Sequence, residues 1–158
     1  MRLPVIQEGD PRLRNKSASI TDYEPKRYRK FVEDLTQTMY EEDGIGIASP
    51  QVGENIRLVV ISTSNGPLVM VNPEILKKSW RAETAEEGCL SVRGVFGPVK
   101  RARSVTVKFT DRDGKKQQLD TSGLFARVIQ HEVDHIDGIL FIDRAASTHQ
   151  VDQGEKHG

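Results

Sequence analysis

Residues 130–138 read QHEVDHIDG and finish a stretch that begins as SGLFARVIQ, Ser122 to Gln130. Leu124, Val128, Ile129 and Ile136 recur at helical spacing, so the segment predicts a helix with an apolar side packed on a sheet. Ser122 can cap its start and Gly138 can end it. His131 and His135 lie four residues apart on that helix and project from nearly one face, where they can share one ion. Glu132 completes the pattern His-Glu-x-x-His, in which two imidazoles hold a divalent metal and the adjacent carboxylate handles protons on its water. The plainer alternative is two polar residues on a solvated last turn. Asp134 reads as a surface acid or as a support for a ligand.

Outward from this helix the chain alternates in period. Between Pro25 and Glu42, Tyr28, Phe31, Val32, Leu35 and Met39 mark an amphipathic helix, with Asp22 or Glu24 near its start. RLVVIS (57–62) and PLVMVN (67–72) are β-branched runs separated by Asn65-Gly66. SVTVKFT (104–110) and KKQQLD (115–120) flank the turn DRDG. These predict antiparallel hairpins, and the layout is α+β. The AASTHQVDQGEKHG tail (145–158) has little to bury and is expected to fray.

A chain of 158 residues suits one domain. Lys plus Arg and Asp plus Glu both count 23, so no polyanion is implied and no specific nucleic-acid partner is expected. No window approaches the roughly 18 apolar residues of a membrane span, and MRLPVIQEGD lacks the apolar core of a signal peptide. The expectation is a soluble cytoplasmic protein without a membrane partner. The single cysteine, Cys89, cannot form an internal disulfide and is free for chemistry.

Two imidazoles do not complete a metal site, and EEGCLSV (86–92) offers a third donor. The thiolate of Cys89 suits zinc or ferrous iron, and with two histidines it leaves one position of a tetrahedral ion open for catalysis. Two alternatives stand beside this. Cys89 can be a small buried hydrophobe, or a nucleophile with a histidine base; the second explains neither the other histidine nor Glu132. A third stretch, GIGIASPQVG (44–53), lacks the Gly-Lys-Ser/Thr of a phosphate loop. Gly44 and Gly46 permit close backbone approach, and the Gln51 amide can donate to an oxygen. A simple helix-to-strand connection is the alternative.

The three stretches together resemble the peptide deformylase family. Gly44 to Gln51 follow its motif glycine, apolar, glycine, apolar, Ala-Ala-Pro-Gln, with Ser49 the one departure. Glu87 to Ser91 give Glu-Gly-Cys-Leu-Ser, and Gln130 to His135 give Gln-His-Glu-x-Asp-His. DPRLR (10–14) and DGILFIDR (137–144) are similar to the family too, so the resemblance spans roughly residues 3 to 144. Arg93 stands where many members carry proline, which bears on the rim of the site.

The resemblance implies a catalytic domain over residues 1–145, with antiparallel strands packed around a central metal-binding helix, and a polar tail over 146–158. It implies a metal-dependent hydrolase acting on a linear amide, the formyl group on the first methionine of newly synthesised proteins. In this reading Cys89, His131 and His135 hold one divalent ion and Glu132 moves the water's proton. Gln51 and the Leu90 backbone N–H receive the oxyanion. Fe2+ is the metal the family implies natively, with Zn2+ or Ni2+ able to replace it; the ligand set alone points to zinc. Ile45, Leu124 and Val128 are expected around the methionine side chain, with the peptide aligned along Gly44 to Gly46. The partners are N-formylmethionyl nascent peptides and, near its exit tunnel, the ribosome. Two rivals are a general His-Glu-x-x-His metallopeptidase, which an intact Glu-Gly-Cys-Leu-Ser argues against, and a deformylase-like binding module with lost or altered turnover.

Overall fold

The computed structural model describes residues 1–151. A five-stranded antiparallel sheet carries β1 (Gly46–Ala48), β2 (Leu58–Thr63), β3 (Gly66–Lys78), β6 (Ser104–Thr110) and β7 (Lys116–Ser122), in the order β1-β2-β3-β6-β7. Both of its faces are covered, which explains why four consecutive residues of β2 are buried. Val59 and Ile61 face the helix α2 (Gly123–Ile136), where Ala126, Ile129, Val133 and Ile136 meet them. Leu58 and Val60 face the helix α1 (Pro25–Glu41) and meet Val32, Leu35 and Met39. An apolar run bounded by turn residues is what such a two-sided strand requires.

A second sheet closes over the other side of α2. It pairs β4 (Ala82–Cys89) with β5 (Val92–Ala102), and β5 with the short β8 (His149–Gln150). Its core is small: Cys89, Val92, Val99, Leu140 and Phe141. The metal-pattern helix is therefore sandwiched between two antiparallel sheets, as expected. Gly138, at φ 79°, takes the left-handed turn that ends it.

Several expectations are corrected. Ser122 occupies the N-cap of α2, but its side chain makes no capping bond; it ends β7, where Ser122 pairs with Ser104. Leu124 is 68% exposed and does not pack on the sheet. The chain also stays ordered past Arg144: Ala146 N–H donates to Pro98, Val95 and Phe96 pair with Gln150 and His149, and Val151 N–H donates to Gly94. Backbone bonds to β5, rather than apolar burial, seat this segment. The rest of the expected tail, residues 152–158, lies outside the described residues. No helix among the described residues is long and apolar enough to cross a membrane.

Candidate active site

Helical spacing puts His131 and His135 on one face, with ring centroids 5.0 Å apart. The β4–β5 turn brings Cys89 to them, and Cys89 Sγ lies 3.2 Å from His135 Nε2. One ligand atom from each of the three residues falls within 4.8 Å of the others. A thiolate and two imidazoles at this spacing are the chemistry of a zinc or iron site with an open position. The donor set fits a divalent ion.

The histidines are held by unlike means. Glu87 accepts a hydrogen bond from His131 Nδ1 at 2.8 Å. An ionised carboxylate only accepts, so Nδ1 carries the proton and Nε2 is left with its lone pair for an ion. Glu87 is fixed in turn by Arg101, through two bonds of 2.9 Å, and by Arg127 at 2.6 Å. Arg101 continues to Asp134 at 2.6 Å, and Arg144 grips the same carboxylate at 2.7 Å. Burial disfavours charge on Glu87, but the hydrogen bonds from Arg101 and His131 prevail and hold its carboxyl far below the usual range. Burial likewise opposes charge on His131, and its bonds to Cys89 and Glu87 outweigh that and keep its pKa well above the ordinary imidazole value. His135 Nδ1 has no hydrogen-bond partner among the described residues, and burial pushes its pKa well down, so it stands as a neutral donor. Asp134 is a buried support, not a surface acid.

Glu132 points into the site and is 3% exposed. Its Oε1 has no hydrogen-bond partner, and burial pushes its pKa up to about 7. A carboxyl group poised near neutrality can both take and return a proton. β1 runs directly over it: a Cβ on Gly46 would sit 2.6 Å from Glu132 Oε2. Only a residue without a side chain lets this strand pass so close. Gln51 is buried, with Oε1 accepting from Ala48 N–H at 2.9 Å and Nε2 directed to Ser91 Oγ at 3.1 Å and Cys89 Sγ at 3.6 Å. Its amide nitrogen therefore faces the donor set.

A cavity of about 630 Å³ opens over these groups, lined by Gln51, Cys89, Leu90, His131 and Glu132, and by Ile45, Gly46, Leu124 and Val128. The expected residues converge here with two exceptions, of which His135 is buried against Cys89 Sγ rather than on the cavity wall. Gly44 does not line the cavity; it packs beneath Leu90, where a Cβ would meet Leu90 Cδ1 at 2.8 Å. The exposure of Leu124 follows from its place on the cavity wall. Of the two departures from the family motifs, Ser49 is fully buried and donates from Oγ to Leu58 O at 2.7 Å, away from the donor set. Arg93 pairs with Glu42 at 3.2 Å on the surface. Glu87 and Arg101 were not foreseen in their supporting roles. The ion pairs they make have no periodic signature, although the position of Glu87 beside Gly88-Cys89 was a usable hint.

The chain is similar to proteins of one family. The family model of polypeptide deformylase matches residues 2–151. A peptide deformylase of Nitrosococcus oceani is 46% identical over 144 residues, covering 89% of this chain and 85% of that protein. The crystal structure of peptide deformylase from Thermotoga maritima superposes with a TM-score of 0.89 at 38% identity, covering 93% of this chain and 99% of that one. A Met-Ala-Ser-bound class I type b peptide deformylase from Acinetobacter baumannii gives a TM-score of 0.87 at 35% identity, covering 91% and 98%.

Proposed function

The chain belongs to the polypeptide deformylase family, and on that premise we propose how its residues remove the formyl group from the first methionine of newly made proteins. Cys89, His131 and His135 hold one divalent ion. When bound, it supplies Lewis acidity that lowers the pKa of water from about 15.7 towards 7. The thiolate and two imidazoles are compatible with Fe2+, Zn2+ or Ni2+; we take Fe2+ as the resident ion.

The remaining work falls to the chain. Glu132, buried and with one carboxylate oxygen unpartnered, takes the proton of the attacking water. As the formyl carbon becomes tetrahedral, Gln51 Nε2 and the Leu90 backbone N–H donate to the developing oxyanion. Losing one such donor in a hydrolase costs about 2.7–4 kcal/mol. Glu132 then returns its proton to the leaving amine. Gly46 and Ile45 guide the peptide as an added strand, and Ile45, Leu124 and Val128 surround the methionine side chain. The A. baumannii relative binds Met-Ala-Ser, a free peptide related to the product, which supports an occupant of this kind. The substrates are nascent chains leaving the ribosome, so the protein works in the cytoplasm near the exit tunnel.

The observation that carries this mechanism is the buried Glu132 carboxylate, with Oε1 unpartnered, beside the Cys89-His131-His135 cluster. Glu132→Gln should keep metal content near one ion per chain while turnover of formyl-Met-Ala-Ser falls about 10²- to 10⁴-fold, because an amide cannot accept the proton. Near-normal turnover with normal metal content would remove Glu132 from that role.

A further inference from the structure

Cys89 Sγ faces two N–H groups of the chain itself: Gln51 Nε2 at 3.6 Å and the backbone N–H of Ser91 at 3.4 Å. In turnover Gln51 turns to the oxyanion, so of these two Ser91 N–H is the donor that stays with the sulfur. It belongs to the Leu90–Ser91 peptide, at the tip of the β4–β5 turn, where Cys89 pairs with Val92. A trans peptide is rigid and points its C=O opposite to its N–H, so whatever holds Leu90 O aims Ser91 N–H. Gln7 holds it: Nε2 donates to Leu90 O at 2.9 Å. Two further contacts fix the direction of the Gln7 amide, with Nε2 3.4 Å from Val5 O and Oε1 accepting from Arg93 N–H at 3.4 Å. Backbone bonds seat Gln7 from either side, Ile6 N–H to Gln51 O at 2.8 Å and Glu8 N–H to Ser91 O at 2.7 Å.

We propose that Gln7 is a positioning residue for the metal centre: it holds the Leu90–Ser91 peptide so that Ser91 N–H stays on the Cys89 sulfur, and Arg93 N–H orients Gln7 in turn. The inference rests on the deformylase reading above, in which Cys89 is a metal ligand. A hydrogen bond from Ser91 draws electron density away from the thiolate, which leaves a bound ion the stronger Lewis acid. Polarising the same peptide from its carbonyl side strengthens that bond. Arg93 contributes through its backbone, because its side chain is turned to Glu42. Without an N–H at position 93, Gln7 Oε1 would lose the contact that sets the amide's orientation.

The test loads the apo-protein with Co2+ and reads the sulfur-to-cobalt charge-transfer band, alongside metal content, kcat and KM. Gln7→Met keeps the length of the side chain and the backbone bonds of Ile6 and Glu8, but removes the donor. A sulfur with a weaker hydrogen bond gives up charge more readily, so the band should move to longer wavelength with one ion per chain still bound. On formyl-Met-Ala-Ser, kcat should fall about tenfold with KM within about twofold, as for the loss of other groups that support a metal ligand. Gln7→Glu, which when ionised has no hydrogen for Leu90 O, should do the same. Arg93→Pro, which lacks the N–H, should move the band further than Arg93→Ala, which keeps it. An unmoved band in Gln7→Met, or a kcat loss below about threefold, overturns the role of Gln7; equal spectra for the two Arg93 variants overturn that of Arg93. Wild-type protein that takes up cobalt yet fails to turn over formyl-Met-Ala-Ser would instead remove the deformylase reading, and the band alone would then decide for or against Gln7.

Discussion

Gly46→Ala adds a single methyl group, and the structure says where it goes. The new Cβ would sit 2.6 Å from Glu132 Oε2 and 3.0 Å from its Cδ and Cγ. Ordinary contact begins near 3.4 Å, so about 0.8 Å must be absorbed at the carboxylate oxygen. Gly46 does not adopt a left-handed conformation, so alanine meets no backbone penalty and the whole effect falls on this contact. β1 is pinned to β2 by the register Gly46↔Ile61, and Glu132 sits on a packed helix, so the carboxylate is the group that moves. A displacement near 1 Å of a catalytic group costs about 10²-fold in rate. Overpacking should also lower stability by about 1–3 kcal/mol. The assay is kcat and KM on formyl-Met-Ala-Ser, with metal content measured on the same preparation. The expected result is a kcat loss of about 10²-fold with metal retained. A variant within threefold of wild-type kcat would refute the argument that Gly46 exists to let β1 pass over Glu132.

Two further substitutions separate the ligands from what supports them. Cys89→Ser should lower metal affinity and activity together, because a neutral hydroxyl is a far poorer ligand than a thiolate; full metal occupancy in the serine variant, measured by elemental analysis, would exclude Cys89 as a ligand. Glu87→Gln removes the negative charge that orients His131 and one of the two acids around buried Arg101, and puts an amide N–H₂ where Arg101 or Arg127 donates, so metal affinity should drop about 10- to 100-fold. Breaking this buried pair should also cost about 3–5 kcal/mol, or roughly 6–12 °C in Tm for the lower figure in a chain of this size. Unchanged Tm and affinity, by calorimetry and metal titration, would show that the Arg101 network is incidental.

Where the chain is periodic, its fold was legible. The apolar spacing of α1 and α2 and the β-branched hairpins of β2–β3 and β6–β7 each state their structure locally. The i, i+4 histidines with Glu132 between them announced the centre for the same reason. β4 and β5 did not show themselves, because Glu83, Thr84 and Glu86 face solvent and only a few residues of that small sheet are buried. The Glu87–Arg101–Asp134 chain spans separations of 14 and 33 residues, and no local pattern encodes a pairing of that kind. Composition also misjudged the segment after Arg144. It was expected to fray for want of apolar residues, yet backbone bonds to β5 and the open space at Gly97 hold it, and neither depends on side-chain hydrophobicity. The split between Gly44 and Gly46 was equally hidden. Both glycines permit close approach, but one admits Leu90 and the other Glu132.

The central claim is that the Cys89-His131-His135 centre, with Glu132, hydrolyses a formyl amide and leaves peptide bonds alone. The most direct measurement follows formate and free amine released from formyl-Met-Ala-Ser, before and after chelation and after return of one divalent ion, alongside unblocked Met-Ala-Ser. The account predicts formate and amine in equal amounts, loss on chelation, recovery on reloading, and no cleavage of the unblocked peptide. Cleavage of Met-Ala-Ser, or formate release that survives complete removal of the metal, would contradict it.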